Sequence, residues 1–354
     1  MNEAIILDKH KEVTWTNKRF NITLITGDPG CGKSVLAKII ASEIWNKRRI
    51  LIIDPKGDWV MRGKTEYGVR QFNRKNLWRG KRAACINAHL IENFKLKIQD
   101  FGRESLIALG FTPPGAEFLV NTMRNYETIW QYDVNLLIRF MELYPTTKKE
   151  LKTWNETNNT RINIEARSDV KQSVLSRLTY IKNWFWQGGD KDINFAYELK
   201  RNNLIIQPIQ EIKQDERQLR AYFGVIMKKM ERAIKEINPL IIIDETDKLC
   251  PNPMNLDQIE KQNPLPITLW LVNFVFKEAR MNSVSFIFIT QRKDLLHYQL
   301  VEQLDYWITG HIRGIEGLEN LEYNLERGIR QFYIEDVRNN LKLVFIPKEP
   351  GMEC

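Results

Sequence analysis

An α/β fold on a mainly parallel sheet is predicted by three observations. Short apolar runs alternate with helix-length amphipathic segments; a glycine-rich loop joins the first such run to the first such segment; and two later apolar runs, at 240–244 and 285–290, end abruptly in polar side chains. Strands buried on both faces read as continuous apolar runs, and parallel neighbours need a helical crossover between them. In chain order, 22–26 reads as a buried strand, 34–46 as an amphipathic helix and 50–54 as a second strand. The pattern resumes with a strand at 203–209, a helix at 211–236, a strand at 240–244, a helix at 268–281 and a strand at 285–290. Two more strands are expected at 307–313 and 341–346. Between 85 and 200 the periodicity is helical, with polar joints expected at 112–115 and 152–160, so this stretch reads as a mainly helical insertion. It divides the core into an N-terminal part, 1–84, and a C-terminal part, 201–354. The Pro-, Asn- and Gln-rich run 251–266 reads as a loop.

Composition agrees with a folded globular protein. The chain has 354 residues, 43% hydrophobic, 10% aromatic and 27% charged, which excludes a small stapled scaffold and a disordered tail. Cys31, Cys85, Cys250 and Cys354 are scattered without a CxxC pair, which argues against a zinc site or a disulfide framework. No run approaches the roughly 18 apolar residues a membrane span needs, and the apolar run 4–7 is too short for a signal-peptide core, so a soluble cytoplasmic protein without a membrane span is expected. The net charge is +9, and residues 47–82 hold twelve basic against three acidic side chains, so the whole surplus sits in this one stretch. Trp59, Tyr67, Phe72 and Trp78 are interleaved with it. A charge run is ordinarily a solvated face; here its confinement and its aromatics also suit a polyanion, with Trp59 or Trp78 stacking on bases or, for Trp59, packing in the core.

The chemistry concentrates in three strand ends. Gly27, Asp28, Pro29, Gly30, Cys31, Gly32, Lys33 and Ser34 fit G-x-x-x-x-G-K-[ST] between a predicted strand and a predicted helix that continues through Val35. Such a P-loop wraps phosphates with backbone N–H groups, adds the positive end of the helix, brings Lys33 to the β- and γ-phosphates and offers the Ser34 hydroxyl to Mg²⁺. ATP and Mg²⁺ are therefore the expected cofactors. Four apolar residues then place Asp244 at a strand's carboxyl end to complete the Mg²⁺ shell, and Glu245 follows as the candidate base that activates water. At the third strand end, Gln291 is placed to bond the attacking water or the γ-phosphate. The strand before it is expected to lie between the P-loop strand and the Asp-Glu strand.

With Ile52-Ile53-Asp54-Pro55-Lys56-Gly57-Asp58 on the second strand, Ala279-Arg280, and Ile289-Thr290-Gln291-Arg292, these motifs resemble the HerA/FtsK superfamily of DNA-pumping ATPases. Ser173-Val174-Leu175-Ser176-Arg177-Leu178 fits the same pattern, and the resemblance runs in order from residue 20 to 315, leaving 85–165 without a matching motif. It implies a RecA-like (ASCE) P-loop NTPase core, a ring, usually a hexamer, and sequence-independent movement of DNA. It also implies an arginine finger from a neighbouring subunit, for which Arg280 and Arg313 are the candidates; the alternative for Arg280 is an ion pair with Glu278 or another carboxylate. Within the superfamily the compact size and the lack of a membrane anchor, recognisable partner module or separate DNA-reading domain fit a viral or plasmid packaging or transfer motor; the roughly twenty residues before the P-loop are too few for the barrel usual in cellular repair translocases. The alternatives are such a translocase or an assembly factor of a secretion or phage-extrusion machine.

Overall fold

A computed structural model of the chain describes residues 3–6, 14–17, 20–57, 59, 70–71, 85–86, 88–92, 94–126, 133–158, 167–187, 193–209, 211–256, 258, 261, 265–310, 332–337 and 341–345. A two-stranded antiparallel ribbon, β1 (Glu3–Ile6) and β2 (Thr14–Asn17), precedes the first strand of the main sheet, β3 (Ile22–Thr26). Helix α1 (Lys33–Ile44) leads to β4 (Ile50–Ile53). The short pair β5 (Arg70–Gln71) and β6 (Cys85–Ile86) follows, and then β7 (Ala88–Ile91).

Among the described residues, six helices lie between β7 and the next sheet strand: α2 (Arg103–Ala108), α3 (Pro113–Asn125), α4 (Val134–Leu143), α5 (Lys148–Asn158), α6 (Ser168–Ile181) and α7 (Phe195–Arg201). The chain returns through β8 (Asn203–Ile206), α8 (Glu216–Ile237), β9 (Leu240–Ile243), the short α9 (Thr246–Leu249), α10 (Pro266–Lys277) and β10 (Ser285–Ile289). It closes with α11 (Tyr298–Val301), β11 (Tyr306–Thr309), β12 (Phe332–Asp336) and β13 (Leu341–Phe345).

Among the described residues the main sheet has nine strands in the order β13-β12-β11-β3-β10-β9-β4-β8-β7. From β11 to β7 the strands are parallel, and β12 and β13 add an antiparallel edge. Alternation along each strand sorts side chains between two layers. Ile50, Ile52, Ile242, Ile287 and Ile289 pack under α1, whereas Leu51, Ile53, Ile241, Ile243, Phe286 and Phe288 pack against the layer that contains α8 and α10. Helix α8 is capped by Asp215, whose carboxylate accepts from the Arg217 and Gln218 N–H groups, and ends at Asn238 in the left-handed region. Helices α2, α3, α4, α6 and α7 share this second core through residues such as Leu106, Leu119, Leu137, Leu178 and Leu199, whereas α5 packs in a separate cluster against Phe140 and Tyr144.

Three expectations are corrected. Residues 113–115 are no joint: Pro113 and Pro114 open α3, where proline's missing N–H costs nothing, and the Thr112 hydroxyl accepts from Gly115 N–H. The polar run from 152 onward is helical through Asn158, because Leu151 and Trp154 of α5 pack against Phe140 and Tyr144. β7 is a strand that the helical reading of 85–200 missed; its Ala88-His89-Leu90-Ile91 sequence lies at the sheet edge with no long apolar run to announce it.

Candidate active site

The sheet gathers the motifs at one edge. β10 lies between β3 and β9, the order expected from the sequence. The phosphate loop, Asp244 and Gln291 therefore emerge from the carboxyl ends of three consecutive strands. The loop's path depends on glycine. At Gly27 (φ 143°) an added Cβ would sit 2.5 Å from Cys31 Sγ, so the buried Cys31 fills the space a side chain there would need. Gly32, the residue before α1, has φ 103°, a left-handed conformation that turns the chain into the helix. Gly27 N–H donates to the Gln291 carbonyl at 3.0 Å, which fastens the loop to the end of β10. The Lys33 amine donates to the carbonyls of Gly27 and Asp28, and Val35 anchors α1 in the core.

Asp244 is the centre of the site. Its Oδ2 accepts from Ser34 Oγ at 3.2 Å and from Trp59 Nε1 at 2.7 Å, while Oδ1 accepts from the Glu245 N–H at 2.9 Å. Burial pushes the Asp244 carboxyl above the usual carboxylate range, against the opposing pull of the Trp59 and Ser34 hydrogen bonds and of the nearby Lys38 and Lys56. Ser34 Oγ and the Asp244 carboxylate are adjacent oxygen donors, which suits a hard divalent cation that keeps part of its water shell.

Glu245 adopts φ 48° and ψ 48°, a left-handed conformation uncommon outside glycine, asparagine and aspartate, and this turns its side chain off the strand line. Its carboxylate ion-pairs with Lys56 and, at 2.9 Å, with Lys248. A cavity of about 320 Å³ opens between these groups, lined by Gly30, Lys33, Ser34, Asp244, Glu245 and Gln291 among others. Pro29 reaches it too, and the half-buried Asp28 stands in the loop behind. Next to Gln291, the Thr290 hydroxyl donates to Asp247 at 2.7 Å, tying the end of β10 to α9.

Arg280 stands apart from this cavity. It precedes β10 at the opposite, amino edge of the sheet, where its guanidinium lies 5.3 Å over the Phe20 ring; Glu278 pairs instead with Lys235. The ion pair with Glu278 is therefore replaced by a cation–π contact. Arg313 lies outside the described residues.

Part of the basic stretch is committed internally. Arg48 donates to the carbonyls of Asn238 and Ser283 and to Ser285 Oγ, and desolvation lowers its pKa to about 10. Lys56 holds Glu245. Arg74, Lys75, Trp78, Arg79 and Lys81 lie outside the described residues.

Trp59, Lys56 and Lys248 make contacts in the site that sequence reasoning missed. Trp59 is fully buried, as a core reading expects, yet its indole N–H is spent on Asp244. The available signal was the indole itself, since a buried tryptophan N–H seeks an acceptor.

Residues 5–230 match the family described as "Helicase HerA, central domain". No curated protein matches the chain. Among solved structures, VirB4 of Thermoanaerobacter pseudethanolicus is similar at 14% identity and a TM-score of 0.58, with 98% of this chain and 96% of that one covered. The bacterial conjugative coupling protein TrwBdeltaN70, in its unbound monoclinic form, is similar at 14% identity and a TM-score of 0.50, with 99% of this chain and 83% of that one covered. The genome packaging NTPase B204 from Sulfolobus turreted icosahedral virus 2, in complex with ATP-gammaS, shares 12% identity at a TM-score of 0.37, with 93% and 98% covered. At these identities the likeness to VirB4 and TrwB is one of fold: a P-loop ATPase core.

Proposed function

Because the chain belongs to the family of HerA helicase central domains, we propose that it is an ATP-hydrolysing motor that works as a ring, a hexamer by family resemblance, to translocate or package DNA. The observation that carries the reading is the convergence of Ser34, Asp244, Glu245 and Gln291 from three adjacent strand ends on one cavity.

The loop N–H groups and the start of α1 bind the phosphate chain. Lys33 exchanges its present carbonyl partners for phosphate oxygens. Ser34 and Asp244 would hold Mg²⁺, which would supply charge neutralisation at the phosphates. Glu245, once its carboxylate is turned from Lys56 and Lys248 toward the attacking water, accepts that water's proton at Oε1 or Oε2. Gln291 orients the same water through its amide. Arg280 sits at the edge away from its own phosphate loop, so in a ring it serves a neighbour's site, where its charge stabilises the transition state. DNA is held by its backbone, with Arg74, Lys75, Arg79 and Lys81 as contacts, in a viral or plasmid setting.

The test is the particle mass with a non-hydrolysable ATP analogue and double-stranded DNA. A closed ring that forms with both ligands supports the motor; a monomer that binds neither contradicts it.

A further inference from the structure

The turn after β4 reaches the site from a strand that carries neither the phosphate loop, nor the Asp-Glu pair, nor Gln291. Its geometry is fixed from within. Asp54 is fully buried and accepts from Gly57 N–H at 2.9 Å, from Trp59 N–H at 3.0 Å and from Gln207 Nε2 at 2.8 Å. Gly57 takes a positive φ of 79° to close the turn, and an added Cβ there would meet Lys213 Nζ at 2.6 Å. The result is a relay in which Asp54 holds the Trp59 backbone and the Trp59 indole holds Asp244 at 2.7 Å. The indole is wedged against α1 in the core, with the buried Lys38 amine 5.4 Å above its ring.

Resting on the nucleotide-site reading above, we propose that Trp59 is a positioning residue for Asp244, fixing the carboxylate so that it and Ser34 can hold a divalent cation together. The donor chemistry explains the choice of side chain. Ser34 Oγ and Trp59 Nε1 both donate to the same oxygen, Oδ2. A serine hydroxyl can turn a lone pair toward a cation while its O–H goes on donating to Asp244, so Ser34 is ligand and partner at once. An indole has one N–H and no lone pair to offer, so it continues to anchor Oδ2 and never competes as a ligand. It also adds no positive charge beside the cation, unlike a lysine or arginine in its place. An outer partner of this kind orients the ligand and is commonly worth tenfold or more in metal affinity.

The experiment measures equilibrium binding of a fluorescent ATP analogue to the full chain, in EDTA and across a Mg²⁺ titration, for wild type and Trp59→Phe. The expected result is an affinity in EDTA within about twofold of wild type and a half-saturating Mg²⁺ concentration raised about tenfold, with turnover recovering at high Mg²⁺. A tryptophan that only fills the core would change thermal stability and leave the Mg²⁺ midpoint in place. Should Trp59→Phe fail to fold, benzothienylalanine at position 59 keeps the ring volume, replaces the N–H by sulfur and takes the same titration. An unchanged Mg²⁺ midpoint in either folded variant overturns the role of Trp59 while the nucleotide site stands. A wild-type chain whose nucleotide binding ignores Mg²⁺ overturns both.

Discussion

The two edges of the parallel sheet are built from the same strands and treat polar groups in opposite ways. At the amino edge buried polar groups staple strand ends to one another. Arg48 joins the entries of β9 and β10 through Asn238, Ser283 and Ser285; Asp305 accepts from Ile22 N–H at 2.8 Å; and Asn203 accepts from Ile50 N–H at 2.9 Å while donating to Trp45 O at 3.1 Å. At the carboxyl edge the polar groups also have partners, but those partners are lysines, a serine and an indole around an open cavity. Buried apolar strands have no chemistry of their own; what differs is whether the strand ends are closed by the protein or left for a ligand.

This contrast predicts a graded set of effects. Glu245→Gln at the carboxyl edge is expected to lower turnover about a thousandfold while nucleotide binding persists, measured by steady-state phosphate release beside equilibrium binding. Arg280→Ala tests a cation at the amino edge that staples no strand end: in the assembled ring, turnover falls about a thousandfold with each subunit's nucleotide affinity unchanged. An unaltered rate would return Arg280 to the purely structural edge. Lys56→Met removes one of the two cations that hold the Glu245 carboxylate away from water, so basal turnover rises, about threefold, with nucleotide affinity preserved. Arg48→Met separates the edges most cleanly. It is expected to cost about 3 kcal/mol of stability by denaturant unfolding, through the carbonyls it leaves unpaired, with little effect on nucleotide affinity in the protein that remains folded.

The same contrast explains what the sequence revealed. The central strands were legible because burial on both faces makes runs such as Leu240-Ile241-Ile242-Ile243 unbroken, and the phosphate loop was legible because its glycines serve backbone geometry within one short segment. Helix ends were displaced by a few residues: the helix expected at 211–236 begins at Glu216, because Asp215 caps it after a short turn. β7 and α5 were missed because an edge strand and a half-buried polar helix carry weak patterns. The contacts of Trp59 with Asp244 and of Lys56 with Glu245 join residues nearly two hundred positions apart, and they become visible only once β4 is known to pair with β9. The charge surplus at 47–82 shows the reverse case: composition flagged the segment, while only structure could show that Arg48 is spent as a staple and Lys56 as a partner of Glu245.

The central claim is that the carboxyl edge is the ATP site of a DNA motor. Its most direct test is the steady-state ATPase rate of the full chain with and without double-stranded DNA, at low and moderate salt. The account predicts Mg²⁺-dependent hydrolysis that DNA stimulates, with a stimulation that weakens as salt rises because the contacts are to phosphates. Hydrolysis indifferent to DNA at every salt concentration, with no salt-sensitive DNA binding, would contradict it.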